Sequence, residues 1–94
     1  MTDYSSILSL LSKTPDLLNI LEQELSMPNI PTPTMGGNVF WTTLAESNGW
    51  KLQQNMITHH ARILNAKNVR VAWGTINGME KALDRIIRYS EKYS

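Results

Sequence analysis

Residues 50–73, which decide the fold, read WKLQQNMITHHARILNAKNVRVAW. Apolar and polar side chains tend to alternate along three parts of this stretch, at 50–56, 59–64 and 69–73. A period of two is typical of strands that bury one face. The sequence NAKN at 65–68 is rich in turn-forming residues. We therefore predict a hairpin over about 58–73 and a three-stranded antiparallel meander over the whole stretch.

The segment after the meander has the period of an amphipathic helix. Its apolar residues recur three or four positions apart, at Met79, Leu83, Ile86 and Ile87. Asn77 and Glu80 have the spacing of a capping box, although that motif normally begins with Ser or Thr. We predict a helix that ends near Lys92 and packs on the sheet.

Two short helices are predicted before the sheet. Asp3 is a suitable N-cap for a first helix that ends near Lys13. Thr-Pro-Asp at 14–16 favours a new helix start, because proline at the first helical position loses no hydrogen bond. This second helix is predicted to reach about Leu25, with a buried stripe of leucines. Residues 1–26 should therefore form a helical hairpin.

Residues 27–38 are predicted to be a linker. Three prolines in this segment remove backbone donors and favour extended conformations, which excludes a helix. A linker of this length allows the hairpin to dock on its own sheet or to exchange onto a second copy of the chain. The sequence leaves both arrangements open.

Residues 39–48 fit either a helix or a strand. The helical alternative places four apolar residues on one face: Phe40, Trp41, Leu44 and Ala45. The strand alternative rests on two β-branched threonines and on Asn48-Gly49, a frequent two-residue hairpin turn. Because alternation is poor here, we favour a short helix. Trp41 and Trp73 are expected to fill the core between sheet and helices.

The totals predict one soluble α+β domain over residues 1–94. Hydrophobic residues make up 41% of the chain, which is enough for one core. The chain has no cysteine, no apolar run long enough to span a membrane and no signal-peptide pattern. We expect a cytoplasmic protein without disulfides that makes no membrane contact.

Charge is distributed unevenly along the chain. Residues 1–46 contain five acidic residues and one basic residue, a net charge of −4. Residues 47–94 contain eight basic and three acidic residues, a net charge of +5. No acidic residue occurs over 47–79. The predicted sheet is therefore basic and the predicted helical hairpin is acidic.

Catalytic and metal-binding patterns are missing from the sequence. The two histidines, His59 and His60, are adjacent, so on a strand they would point to opposite faces. No nucleophile motif, zinc motif or phosphate-binding glycine loop is present. We predict that the protein is not an enzyme and that it uses no cofactor or metal.

The basic sheet segment is the candidate binding site. It combines cations, amides and an aromatic ring, with candidates Trp50, Lys51, Gln53, His60, Arg62, Lys67 and Arg70. On the predicted meander, Lys51, Arg62 and Arg70 can lie on one face. The same residues also suit an ordinary solvated face of a sheet that helices cover on the other side.

We predict a small binding or assembly module, with either a protein partner or self-association as a homo-oligomer. The separated charges and the missing catalytic groups favour this interpretation. The alternative is nucleic-acid binding through residues 50–73, where cations and Trp50 could contact phosphates and bases. Against the alternative, the pI of about 8.1 is below the value above 9 that is common in such domains.

Overall fold

Three helices pack on one face of a five-stranded antiparallel sheet, which confirms the predicted α+β class. The computed structural model describes residues 4–25, 32–34 and 39–93. The helices are α1 (Tyr4–Lys13), α2 (Leu18–Glu24) and α3 (Ile76–Tyr93), and a 3₁₀ turn at Pro15–Leu17 precedes α2. The strands are β1 (Thr32–Pro33), β2 (Trp41–Ser47), β3 (Trp50–Asn55), β4 (Ala61–Leu64) and β5 (Val69–Gly74).

The two N-terminal helices lie close to their predicted bounds. Helix α1 ends at Lys13, and Pro15 starts the 3₁₀ turn that leads into α2. Buried leucines of the two helices and of the residues that flank α2 lie in the core: Leu8, Leu11, Leu17, Leu21 and Leu25. The predicted N-cap, Asp3, lies outside the described residues. Within this chain the helical pair packs on its own sheet.

The strands follow the order β1-β5-β4-β3-β2, so β2 to β5 form a meander of four strands. We predicted a meander of three strands, because we favoured a helix over 39–48. That helix prediction was wrong. The strand alternative is correct, and β2 is joined to β3 by Asn48 and Gly49. These residues have φ of 53° and 82°, which are the positive values of a tight hairpin turn.

A β-bulge in β2 explains why the alternation was hard to read. Thr43 pairs with Gln53, whereas Ala45 pairs with Leu52, so Leu44 is the extra residue. Because neighbouring residues of β3 face opposite sides, the bulge turns Thr43 and Ala45 to opposite faces. Ala45 packs against the core, as its apolar side chain requires.

The predicted linker contributes a strand to the sheet edge. Thr32 pairs with Arg70 and Pro33 pairs with Val69, which adds β1 beside β5. Proline is tolerated at this position because an edge strand can leave an N–H site unused. The rest of the predicted linker, at 27–31 and 35–38, lies outside the described residues.

Helix α3 extends along the predicted segment but begins slightly earlier. Its N-terminal cap is Thr75, whose Oγ1 accepts a 3.0 Å hydrogen bond from the backbone N–H of Gly78. The cap expected at Asn77 is therefore misplaced, since Asn77 lies within the helix. Met79, Ala82, Leu83 and Ile86 are buried in the core. No helix in the described part of the chain is long and apolar enough to cross a membrane.

Candidate functional site

The outer face of the sheet is the face opposite the three helices. Cross-strand pairing places a row of four residues on it: Thr43, Gln53, Arg62 and Trp73. Two hydrogen bonds connect the first three residues of this row. Gln53 Nε2 donates to Thr43 Oγ1 over 3.1 Å, and Arg62 Nε donates to Gln53 Oε1 over 2.9 Å. The buried amide of Gln53 therefore fixes one edge of the Arg62 guanidinium.

Arg62 is held from a second side by Trp41. The guanidinium carbon Cζ lies 3.9 Å from the centroid of the Trp41 ring, a close cation–π contact. Only 9% of Arg62 is exposed, although it carries a full charge. Arg62 is thus held in one place by three neighbours. They are its own strand β4, which is hydrogen-bonded on both sides, the amide of Gln53 and the ring of Trp41.

Arg70 and Trp73 form a second pair of the same kind. Ile63 pairs with Ala72 but Leu64 pairs with Arg70, so β5 contains a bulge with Val71 as the extra residue. The bulge places Arg70 and Trp73 on the same face, although they are three positions apart. The Cζ atom of Arg70 lies 4.7 Å from the Trp73 ring centroid.

The hydrogen bonding of Arg70 is incomplete. Its Nη2 donates to Thr32 Oγ1 of the edge strand over 3.2 Å. Its Nε atom is buried and has no hydrogen-bond partner among the residues that the structure describes. A buried donor without a partner costs free energy, so it requires an explanation.

The two arginines line a partly open cavity of about 260 Å³. We call this the arginine cavity; its lining residues are Thr34, Trp41, Asn55, Thr58, His60, Arg62, Arg70 and Trp73. The His60 ring meets Trp73 edge to face, with centroids 6.2 Å apart. The lining thus combines two guanidinium groups, aromatic rings and neutral polar side chains, and none of these eight residues is acidic.

Positive charge is concentrated in the arginine cavity. Burial lowers the pKa of Arg62 below its usual value, and the nearby Arg70 charge lowers it further. Both causes act against the cation, yet no carboxylate of the described residues forms an ion pair with either guanidinium. An anion entering the cavity would relieve the repulsion between the two groups.

The structure brings together four of the seven candidate residues: Gln53, His60, Arg62 and Arg70. The other three lie outside the arginine cavity, although cross-strand pairing places Lys51 on the same face of the sheet as Arg62 and Arg70, as predicted. Trp50 is buried in the core on the helix side, and Lys51 donates to Asn68 Oδ1 over 3.3 Å. Lys67 is exposed on the β4–β5 turn.

Sequence reasoning missed two central members of the site. Trp41 and Trp73 were expected in the core, but both contact arginines on the outer face and lie outside the core cluster. The expectation was wrong because large aromatic residues are more often core than surface, and because each strand contains a bulge. His59 was also placed on a strand, whereas it lies in the β3–β4 connection with φ of 63°.

Exposed apolar residues adjoin the arginine cavity. We call this group the apolar rim; it comprises Val39, Phe40, Met56 and Ile57, which are 75%, 55%, 56% and 68% exposed. The backbone N–H of Met56 donates to the carbonyl of Phe40 over 2.7 Å, which joins the two halves of the rim. Phe40 and Ile57 directly precede Trp41 and Thr58 of the cavity. Large exposed apolar side chains on two neighbouring chain segments are typical of a contact surface.

A wider depression lies on the helix side of the molecule. It has a volume of about 520 Å³ and is lined by Tyr4, Asn77, Glu80, Lys81 and Asp84. Burial raises the pKa of Tyr4, and the Glu80 charge adds to this effect. The depression mixes one ammonium group with two carboxylates, so it has weaker charge selectivity than the arginine cavity.

No protein-family model, curated protein or solved structure matches this chain. Within residues 4–25, 32–34 and 39–93, no group of three or more His, Cys, Asp or Glu side chains is placed to hold a metal ion. Function therefore has to be argued from the geometry of the outer face.

Proposed function

We propose that the protein is a non-enzymatic binding module that recognises another protein through the outer face of its sheet. The observation that carries this proposal is the position of the apolar rim directly beside the arginine cavity. Aromatic, Met and Arg side chains are enriched in protein interfaces, and Trp, Tyr and Arg contribute much of the binding energy. Phe40, Met56, Arg62 and Arg70 bring all of these together.

A protein partner fits this surface better than a nucleic acid. Binding a nucleic-acid strand requires cations spaced along the path of its phosphates. Here the two cavity arginines are flanked by exposed apolar side chains instead. Lys67 lies on the β4–β5 turn, at the opposite end of the meander from Met56 and Ile57. Nucleic-acid binding remains the alternative, and the test must distinguish it from binding of a protein.

The make-up of the cavity supports binding rather than catalysis. A general base needs an orienting partner, but none of the eight lining residues carries a carboxylate that could orient the His60 ring. Both arginines are held in place by their neighbours, as binding groups need to be.

The test compares capture of partners by the wild-type chain and by two variants. Ile57→Asp disrupts the apolar rim and Arg70→Gln removes one cavity charge. Their controls are Tyr89→Asp and Arg88→Gln, which make matched changes at exposed positions on α3. We expect a specific protein to be retained by the wild type and both controls, and to be lost from both site variants. The captured protein must then bind the purified chain directly.

Two further measurements separate the alternatives. Nuclease treatment that abolishes capture, together with salt-dependent binding of short RNA or DNA, would support the nucleic-acid alternative instead. Light scattering over a range of concentrations shows whether the partner is a second copy of the chain. Capture that is equal for all five proteins would overturn the proposal, because the retained partner would then not use this face.

A further inference from the structure

We infer that the arginine cavity is a binding site for a single oxyanion, a carboxylate or a phosphoryl group, carried by the partner protein. The inference rests on the proposed function in one respect only, the source of the anion. The donors, the volume and the walls of the cavity fit a small oxyanion whatever its source, so the site can be tested with small anions alone.

The two guanidinium groups have donors available for an oxyanion. Arg62 uses Nε for Gln53, and its two terminal nitrogens make no hydrogen bond to the described residues. Arg70 uses Nη2 for Thr32, and its other terminal nitrogen, Nη1, also makes none to the described residues. Guanidinium groups have several donors in one plane, which match the two oxygens of a carboxylate or phosphoryl group. An oxyanion would satisfy donors that the described residues leave unused.

The two arginines are already positioned for a ligand. Both side chains are held before any ligand arrives, Arg62 against Trp41 and Gln53, and Arg70 against Trp73 and Thr32. Holding two like charges beside one cavity is unfavourable for the fold by itself. The arrangement therefore resembles a preorganised site, in which ordering costs are met during folding instead of during binding.

The volume of the cavity limits the size of the ligand. Pockets for drug-sized molecules or cofactors usually have volumes of about 300–1,000 Å³. The arginine cavity, at about 260 Å³, lies below this range and suits one side chain or terminal group. The aromatic walls would contact the carbon atoms that bear the anion, and the adjoining rim would contact neighbouring apolar residues of the same partner.

The experiment is a titration of ¹⁵N-labelled protein followed by NMR. The reporters are the Nε–H signals of Arg62 and Arg70 and the indole N–H signals of Trp41 and Trp73. Acetate and inorganic phosphate are titrated separately against chloride at constant ionic strength. We expect saturable shifts of these signals with at least one of the two anions. The anion that binds with the higher affinity identifies the class of oxyanion. Absence of saturable shifts in the wild type would overturn the inference, whatever the variants do.

Variants then locate the site. Arg70→Gln should weaken the binding of the anion by about tenfold or more, the loss expected for one charge-assisted contact. Arg88→Gln removes the same charge from an exposed position on α3 and should change the affinity by less than about twofold. Equal loss in both variants would mean that the anion senses only net charge, and this would also overturn the inference.

The two proposals fail in different ways. If the anions bind in the cavity but no protein partner is captured, the proposed function fails and the oxyanion site stands. If a partner is captured through the apolar rim while Arg70→Gln and the wild type bind it equally, the partner does not supply the anion, and protein binding then rests on the apolar rim alone.

Discussion

Arg62 stacks on Trp41, with its Cζ atom 3.9 Å from the ring centroid, and both residues come from strands that do not pair with each other. The strand between them, β3, supplies Gln53, which accepts a hydrogen bond from Arg62. The contact therefore spans three strands on the outer face. The position of the nearly buried Arg62 cation therefore depends on the order of these strands.

Replacing Gln53 with Met should destabilise the fold, because it leaves the buried Nε of Arg62 without its partner. We expect the free energy of unfolding to fall by about 1–3 kcal/mol, the usual cost of an unsatisfied buried donor. Urea denaturation measures the change. Gln23→Met makes the same substitution at an exposed position of α2 and should change stability by less than about 0.5 kcal/mol.

The double variant Gln53→Met/Arg62→Met provides a sharper check of the same network. Removing both polar partners leaves no orphaned donor, so the double variant should be more stable than the sum of the two single changes predicts. Strictly additive losses would show that the Arg62–Gln53 hydrogen bond does not couple the two residues.

The sequence predicted the elements that have strong local signals. Proline at position 15 and the spacing of leucines located the helical pair, and the turn residues at 65–68 located the β4–β5 hairpin. The periodicity of residues 79–87 located α3. In each case a few neighbouring residues contain the information, because capping, turn formation and helical amphipathicity are local properties.

The arginine cavity could not be predicted, because two bulges reassign the faces of β2 and β5. A strict period of two would place Trp41 and Ala45 on the same face of the sheet. It would place Arg70 and Trp73 on opposite faces. The extra residues in the two strands, at 44 and 71, reverse both assignments. Bulges have no strong signature in a single sequence, and the row across four strands depends on register as well. The candidate cations were named, but their aromatic partners were assigned to the core.

Gly49→Ala should destabilise the β2–β3 hairpin. Gly49 has φ of 82°, and an added Cβ would lie 3.1 Å from the Cβ of Ala66 on the neighbouring turn. The left-handed conformation alone costs an L-residue about 1–2 kcal/mol, and thermal unfolding should show a lower midpoint. Adding Ala66→Gly removes the contact but retains the backbone strain, so the double variant should recover only part of the loss. Full recovery would mean that crowding, and not φ, is the cause.

Tyr4→Phe should make stability less dependent on pH above pH 10. Folding raises the pKa of Tyr4 above its usual value of 10.0, mainly through burial and then through Glu80. The folded state therefore holds the phenol proton more tightly, and this contribution is present below pH 10 and is lost as pH rises through the folded-state pKa.

Thermal unfolding of both proteins from pH 8 to pH 11 measures this effect. The wild type should lose stability faster than Tyr4→Phe in the upper part of the range. Glu80→Gln should reduce the difference without abolishing it, because burial is the larger cause. Parallel curves for wild type and Tyr4→Phe would contradict the prediction.

Phe40→Asn should separate the stability of the fold from its binding. Phe40 has φ of 63°, a conformation that asparagine tolerates far better than an aromatic residue, and its side chain is exposed. The variant should therefore be at least as stable as the wild type in urea denaturation, because it relieves backbone strain without opening the core. If the apolar rim contacts a partner, the same variant should bind that partner less tightly, since an aromatic anchor is lost. Unchanged stability together with unchanged partner binding would exclude Phe40 from the contact surface. A marked loss of stability would show that the Phe40 ring packs more closely than its exposure indicates.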